Sequence, residues 1–320
     1  MNKLKRLEEY DEFIIDEIVK HIMEPNPVQH LLELAGKPIA KVMEIAANSK
    51  MPIIKEVNTA VMSGVGKALE TTIKAANTLC SEKEVIKEYN SRNIDVSKIE
   101  EIKYLGLEQI DKVADSYDLS NAIFLGLEGA LLGVATTLAE GIPFAQLLIP
   151  TLVMTDVTSS MVLLSRHACQ IATSYGFSSE KSINLPHILA AMVPINDTSD
   201  EGYFAAKAFA VDAIRTAGKY ISKDAAGIFN KEIPALVKLI GYITERLGFQ
   251  ITQKELGLLV PIAGAILNGG VNVAFQQTGH IIAKDYFRSL ILEDRYGSEE
   301  IQQLIHDKTY DINHERRKKA

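Results

Sequence analysis

Apolar residues recur with helical spacing along almost the whole chain. One example is the segment 97–117, in which Ile102, Ile110 and Val113 fall on one side of a helix and predict a buried stripe. No segment of useful length alternates strictly between apolar and polar residues, as a half-buried strand would. The pattern therefore predicts an all-α protein built as a multi-helix bundle.

Glycines and capping residues indicate where these helices end. Gly176 is a natural residue to follow a helix C-terminus, and Ser97 with Glu100 predicts a capping box, as does Thr252 with Glu255. The predicted helices are, in order, about 3–23, 27–48, 52–80, 82–90, 97–117, 120–140, 143–176, a segment that restarts after 178 and ends at Pro194, one that reaches 221, then 234–248, 253–269, 271–295 and a short helix from Ser298.

The composition changes near residue 119. Residues 1–118 are charged and amphipathic, whereas 119–297 contain most of the apolar runs, and 298–320 form a short helix and a basic tail. No Pro- or Gly-rich linker divides the chain. We therefore expect an N-terminal helical arm that wraps around a more hydrophobic helical body.

The charge balance limits the classes of partner. A net charge of −7 argues against a nucleic-acid-binding protein, because phosphate binding needs a basic surface. The exception is the basic sequence at 316–319, RRKK. It is typical of a solvated, frayed terminus, or of a weak contact with anionic lipid.

The two cysteines, Cys80 and Cys169, are too few for a disulfide framework or a cysteine-rich zinc site. We expect both to be small buried hydrophobic residues in a reducing compartment. The first residues lack the apolar core of a secretory signal. The predicted location is the cytoplasm, peripheral to the inner membrane if the protein binds there.

Two apolar runs raise the question of a membrane. The run 121–139 contains one acidic residue, and the run 256–275 contains no charge. The second is long enough to span a bilayer, but its proline, asparagines and glycines weaken that interpretation. Glycines in both runs allow close helix approach and predict Gly-rich apolar hairpins that pack in the core or contact a membrane or partner. They are Gly126, Gly129, Gly133, Gly264 and Gly269.

Ionisable groups lie within the apolar segment 152–167. Asp156 and His167 share one helix face but stand about 16 Å apart along the axis, so they cannot contact each other. Arg166 lies on a neighbouring stripe. Each group needs a partner on another helix, because an isolated buried charge is too costly.

The late helix offers such partners in Asn272, Gln276 and His280, with Arg288 at its far end. The candidate buried polar site is therefore Asp156, Arg166, His167, Asn272, Gln276 and His280. It is interpreted as a structural network, a ligand or ion site, or a catalytic centre. The sequence has no nucleotide-binding, metalloprotease or serine-hydrolase motif, so it predicts no metal site and no cofactor.

Several features together resemble the EcsC family over about residues 100–293. After the Gly-rich hairpin come Asp156, Leu164, Arg166, Ile171-Ala172 and Tyr175-Gly176-Phe177; later come Pro261, Gly264, Gly269-Gly270, Asn272, Ala283 and Phe287-Arg288. The resemblance implies a bacterial, cytoplasmic, membrane-proximal accessory protein associated with a transporter, without an assigned reaction. It also singles out Asp156, Arg166 and Asn272.

Three functions follow as hypotheses. The first is a non-enzymatic accessory protein that binds a membrane surface, a transporter or another helical partner through the hairpins. The second is a hydrolase that uses Asp156 with His167 or His280. The third is a membrane-inserting effector or toxin that releases 120–165 and 256–275 from a soluble form.

Overall fold

The structure, a computed structural model, describes residues 7–24, 27, 30, 52–118, 149–193, 207–216, 234–258 and 270–319. The helices within this part are α1 (Glu9–Met23), α2 (Pro52–Leu79), α3 (Glu82–Ser91), α4 (Leu107–Ala114), α5 (Ile149–Ser174), α6 (Leu185–Ala190), α7 (207–216), α8 (Pro234–Leu258), α9 (Gly270–Tyr296) and α10 (Ser298–Lys319). Short 3₁₀ helices cover Ile99–Tyr104, Asp115–Tyr117 and Ser182–Asn184. The described residues contain no strand, so the predicted all-α bundle is confirmed.

Helices α2 and α5 pack along each other and form the centre of the bundle. Gly64 lies against Val157, and the hydroxyl of Thr72 donates to Ser165 Oγ at 2.6 Å two turns later, so the two helices run parallel. This contact crosses the expected boundary near residue 119, because α2 belongs to the predicted N-terminal arm.

The neighbouring long helices follow the same axis. Gly248 of α8 packs on Met62, and Thr252 contacts Asn58 at 3.2 Å, so α8 runs antiparallel to α2. Gly279 of α9 packs on Leu164, while Phe287 stacks near Tyr175 further along, so α9 runs parallel to α5.

Two outer layers pack on α9. Its N-terminal neighbour α1 runs antiparallel, since His21 contacts Asp285 and Asp11 contacts Arg295. Gly297 then adopts a φ of +106°, a conformation that suits glycine, and reverses the chain into α10. The buried core between these layers is aliphatic and aromatic, and its largest fully buried side chains include Tyr89, Tyr175, Tyr286 and Phe287.

These directions point four helix ends toward the same end of the bundle. The N-termini of α2, α5 and α9, at Pro52, Ile149 and Gly270, lie at the same end of the bundle as the C-terminus of α8, at Leu258. We call this the exit end, because the segment 119–148 leads into α5 there and the segment 259–269 connects α8 to α9 there. All five glycines predicted for membrane or partner contact, Gly126, Gly129, Gly133, Gly264 and Gly269, lie outside the described residues.

Several predicted helix boundaries are wrong. The segment 97–117 is not one helix but a 3₁₀ helix, α4 and a second 3₁₀ turn, and its capping carboxylate is that of Glu101, which accepts from the backbone of Ser97 and Lys98. Helix α8 continues through Gly248, because the missing side chain leaves room for Met62. The segment after 178 contains only a 3₁₀ turn and the short α6. Helix α10 extends to Lys319, so the basic residues 316–319 are helical rather than frayed.

None of the described helices combines the length and the mean hydropathy of a membrane-spanning helix.

Candidate functional site

The polar centre of the bundle is an ion pair between α4 and α9. Arg288 Nη2 donates to Asp111 Oδ2 at 2.7 Å, and its Nε lies 3.1 Å from both oxygens of the same carboxylate. Both side chains are buried. This bidentate geometry lets a guanidinium and a carboxylate share the interior, because it satisfies several hydrogen-bonding sites at once.

Two tyrosines complete the coordination of Asp111. The hydroxyl of Tyr10 donates to Oδ2 at 2.8 Å, and the hydroxyl of Tyr175 donates to Oδ1. Burial, with the charge of Asp111, raises the pKa of Tyr175 well above its ordinary value. Both hydroxyls therefore remain protonated donors, and the carboxylate has partners on α1, on α9 and on the turn after α5.

A second acidic pair extends the network to α1. Arg288 Nη1 lies 3.2 Å from Asp285 Oδ1 and 3.2 Å from Glu17 Oε2. The other oxygen of Asp285 lies 2.6 Å from His21 Nδ1. Burial lowers the pKa of His21, but the hydrogen bond and negative charge of Asp285 outweigh burial, so the pKa is raised overall. The network therefore favours a protonated His21.

One and two turns before Arg288 on α9, at Lys284 and His280, a second cluster connects the core to the surface. His167 Nε2 of α5 lies 3.0 Å from His280 Nδ1, and His280 Nε2 lies 3.4 Å from Asp115 Oδ1, which also receives the ammonium of Lys284. His167 is fully buried, whereas the Asp115 side chain is 56% exposed. The contacts thus form a continuous polar path from the interior to solvent.

The charges of this second cluster differ along the path. Burial, with the neighbouring His280, lowers the pKa of His167 to about 3, so its ring is neutral near pH 7. Burial alone would raise the pKa of Asp115, but the hydrogen bonds from His280 and Lys284 lower it to about 2. The inner end of the path is therefore a neutral imidazole and the outer end is an ion pair.

The candidate residues are only partly brought together. His167 and His280 are in contact, and Gln276 lies one turn before His280 on α9 and is 1% exposed. Neither side-chain amide atom of Gln276 has a hydrogen-bond partner within the described part of the chain. Asp156 is buried on α5, about 16 Å along the axis from His167. The side chain of Asn272 lies outside the described residues.

The prediction that Arg166 is a buried polar group is wrong. Arg166 was expected among the buried groups, but it is exposed, while Ser165 and His167 on either side of it are buried. Successive residues on a helix are about 100° apart, so an apolar stretch of sequence still leaves one face toward solvent. Arg166 lies on that face of α5 and needs no buried partner.

Sequence reasoning missed the acidic half of the site. Asp111 and Asp115 are four residues apart on the α4 side, and they face His280, Lys284 and Arg288, which are spaced by four on α9. Such spacing places side chains on one helix face. The two rows could have been found as matching charge stripes, although nothing local shows that they face each other.

Potential metal ligands and cysteines are the remaining chemically reactive side chains of the described residues. No three of their histidines, cysteines, aspartates and glutamates are grouped so as to hold a metal ion. Cys80 and Cys169 are both buried, as predicted. Burial raises the pKa of Cys80 to about 11, and that of Cys169 is raised further, so both remain thiols.

Comparison with curated proteins and with solved structures finds no match to this chain. The sequence model of the EcsC protein family, in contrast, matches residues 29–292. That range begins well before residue 100, where the resemblance seen in the sequence started, so it includes α2 and its packing on α5. It also contains both rows of the charge network, Asp111 with Asp115 and His280 with Arg288. The chain therefore belongs to the EcsC protein family.

Proposed function

We propose that this protein is a non-catalytic accessory protein that binds at a membrane, either to the lipid surface or to a membrane transporter, through its two apolar segments. The observation that carries the proposal is the exit end. The segment 119–148 joins α5 there, and the segment 259–269 leaves α8 and enters α9 there. Both of the most apolar parts of the chain therefore adjoin this end of the helical scaffold, the segment 259–269 at both of its boundaries and the segment 119–148 where it enters α5.

The buried charges support a scaffold role for the rest of the molecule. Arg288 directs its donors to Asp111, Asp285 and Glu17, and Asp111 also accepts from two tyrosines. Groups that neutralise each other in this way hold helices in a defined register and are not aimed at a substrate. A rigid scaffold is what a protein needs to present two segments side by side.

The packing of α5 limits what could leave the bundle. Val153, Val157, Met161 and Leu164 are buried, and Val157 lies against Gly64 of α2. Release of 120–165, as a membrane-inserting effector would require, removes these side chains from the core. An accessory protein that keeps α5 in place needs no such loss, and we favour it for that reason.

The runner-up is a hydrolase, and one observation favours it. His280 lies between His167 and the exposed Asp115, an arrangement in which a carboxylate orients an imidazole base. The carboxylate is not Asp156, as the sequence suggested, because Asp156 is too far along α5 to reach either ring. Asp115→Asn would abolish hydrolysis by such a centre and leave membrane binding unchanged.

Flotation with phospholipid vesicles tests the proposal. We expect the protein to float with vesicles, and Leu131→Glu with Leu132→Glu to abolish flotation, because two charges in the apolar run 121–139 oppose insertion. The matched control is Tyr104→Glu, which adds a charge to an 85% exposed aromatic residue near the opposite end of the bundle. Unchanged circular dichroism and melting temperature show that both variants are folded.

Two results would contradict the proposal. One is a wild-type protein that stays in the dense fraction with every vesicle composition and with membranes that contain its transporter partner. The other is equal flotation of the Leu131→Glu/Leu132→Glu variant and the wild type.

A further inference from the structure

We infer that Gln276 and Asp118 hold ordered water in an enclosed polar site, one turn from the His167–His280 pair. The inference goes beyond the proposed function, because neither Gln276 nor Asp118 has a part in membrane binding or in the hydrolase alternative. Three observations carry it: buried polar atoms without a partner, the places of these atoms on facing parts of the chain, and their mixture of donors and acceptors.

The side-chain amide of Gln276 is the first of these groups. Gln276 is 1% exposed, and neither its Nε2 nor its Oε1 has a hydrogen-bond partner within the described part of the chain. An amide that is removed from water without new hydrogen bonds is strongly destabilising, and buried amides in native proteins are therefore bonded to protein or to ordered water. The amide of Gln276 needs such a partner.

The histidine pair fixes where this amide lies. Gln276 precedes His280 by four residues, so the two side chains are neighbours on one face of α9. His280 contacts His167 of α5 at 3.0 Å and Asp115 of the turn after α4 at 3.4 Å. Both histidines are buried. Gln276 therefore lies one turn nearer the exit end, on the face of α9 that meets α5 and the turn after α4.

Asp118 supplies a second unpartnered group. Its Oδ1 atom is buried and has no hydrogen-bond partner within the described residues. The backbone N–H of Asp118 donates to the carbonyl oxygen of Asp115, which is 3₁₀ spacing. In a 3₁₀ turn, side chains three residues apart lie above one another, about 6 Å apart along the axis. Asp118 is thus on the same side of the chain as Asp115, one turn further on.

The direction of this turn leads from the ion pairs toward Gln276. Asp111 contacts Arg288, and four residues later Asp115 contacts His280, which lies eight residues before Arg288 on α9. The chain therefore passes α9 in the direction of the N-terminus of α9. One further turn on both sides reaches Asp118 and the glutamine amide. The unpartnered atoms of the two side chains accordingly lie in the same region of the interface.

The chemistry of these atoms selects the ligand. The carboxylate oxygen of Asp118 and the amide oxygen of Gln276 accept hydrogen bonds, whereas Nε2 donates them. A cation would satisfy only the two oxygens, and an anion would satisfy only the nitrogen. Water both donates and accepts, and a buried water typically makes about three hydrogen bonds to polar groups of this kind. Ordered water is therefore the ligand that satisfies the whole set.

A high-resolution crystal structure of the full wild-type chain tests the site directly. We expect ordered water within about 3.2 Å of the Gln276 amide and of Asp118 Oδ1. Gln276→Met keeps the size and the helix propensity of the side chain but removes both polar atoms. It should abolish the water at this position and lower the melting temperature by about 2–4 °C.

The matched control is Gln303→Met on α10. Gln303 is exposed and donates only to the nearby Asp307 at 2.7 Å, so the same substitution there should shift the melting temperature by less than about 1 °C. A double-variant cycle of Gln276→Met with Asp118→Ala tests whether the two residues share the water. Their effects on the melting temperature should not be additive, because either change removes a partner of the same water.

Three results would overturn the inference. One is a wild-type crystal structure in which protein atoms satisfy both amide atoms and Asp118 Oδ1; this result needs no folded variant. Another is a rise in melting temperature for Gln276→Met, which would show that the amide has no partner at all. The third is strict additivity of Gln276→Met and Asp118→Ala, which would place the two side chains in separate surroundings.

Discussion

Asp111 and Arg288 join α4 to α9 through a bidentate ion pair in the interior, with the closest contact at 2.7 Å between Oδ2 and Nη2. The pair is separated by most of the chain yet lies at the point where α1, α4, α5 and α9 meet. Around it, Tyr10, Tyr175 and Asp285 use the remaining hydrogen-bonding sites. The arrangement makes the stability of the bundle depend on one charged contact between remote segments.

Removal of one partner should therefore be costly. Arg288→Met leaves Asp111 buried without its cation, and we expect a loss of about 3–5 kcal/mol in the free energy of unfolding. Asp111→Leu in addition should recover part of that loss, because no uncompensated charge remains. Urea denaturation of the two single variants and the double variant measures the coupling.

The control for this cycle is an exposed ion pair. Arg92 lies 2.8 Å from Glu88 on the surface of α3, and Arg92→Met should cost less than about 1 kcal/mol. Additive losses in the Asp111 and Arg288 variants would show that the two side chains do not stabilise the bundle as a pair.

Acid should destabilise the protein through His167. Its pKa is lowered to about 3 in the folded state, while an unfolded histidine titrates near pH 6.5. The stability from the neutral buried ring is complete above about pH 6.5 and declines toward pH 3, by roughly 1 kcal/mol between pH 7.5 and 5.5. His167→Gln should remove that part of the pH dependence, as measured by urea midpoints at the two pH values; an unchanged slope would contradict the assignment.

His21 should behave in the opposite way. Because Asp285 raises its pKa above the unfolded value, the stability that it contributes is present below about pH 6.5 and is lost as the pH rises through the folded pKa. His21→Gln should therefore be more destabilising at pH 5.5 than at pH 9. Melting temperatures at both pH values decide the point, and a larger loss at pH 9 would show that His21 is neutral in the fold.

Close packing of α2 on α5 can be tested with two glycines of one helix. A Cβ at Gly64 would lie 3.0 Å from Val157 Cγ1, whereas a Cβ at Gly66 would meet nothing within 4 Å. Gly66→Ala should stabilise the protein by about 0.5–1 kcal/mol, because alanine favours a helix. Gly64→Ala has the same helical gain but meets Val157, so we expect a net loss of about 1 kcal/mol.

Val157→Ala removes the Cγ1 atom that a Cβ at residue 64 would meet. In a Val157→Ala background, the effects of Gly64→Ala and Gly66→Ala on the melting temperature should therefore differ less than they do in the wild type. Thermal denaturation of these proteins is sufficient. Equal stabilisation by Gly64→Ala and Gly66→Ala would mean that the two helices are not in close contact at this point.

Local signals predicted local structure well. Gly176 was expected just after a helix, and it adopts a φ of +85° after α5, where a Cβ would lie 2.6 Å from Lys103 Cγ. The apolar spacing predicted both ends of α2 and α9 and the C-terminal end of α5 to within two residues, while the predicted start of α5 at 143 lies outside the described residues. The failures arose where the surroundings override the local signal: Gly248 does not break α8, because Met62 fills the space beside it.

For the candidate site, too, local signals identified some residues and could not identify the contacts between distant segments. His167 and His280 were proposed from polarity within apolar segments, and they are in contact. Their acidic neighbour Asp115 was not found, since it lies 165 residues before His280 and nothing in its own segment distinguishes it. The prediction that Arg166 is buried was wrong, because a hydropathy pattern identifies an apolar segment but not which face of its helix is covered by other helices.

By itself the sequence determined that this protein is helical, where most of its helices lie and which family it belongs to, because helix formation and apolar periodicity depend on residues a few positions apart. Only the tertiary structure decided which charges neutralise each other, and that the ends of α5, α8 and α9 that adjoin the two apolar segments point toward the same end of the bundle. Those relations depend on the directions of helices from distant parts of the chain, and burial of their shared core sets those directions.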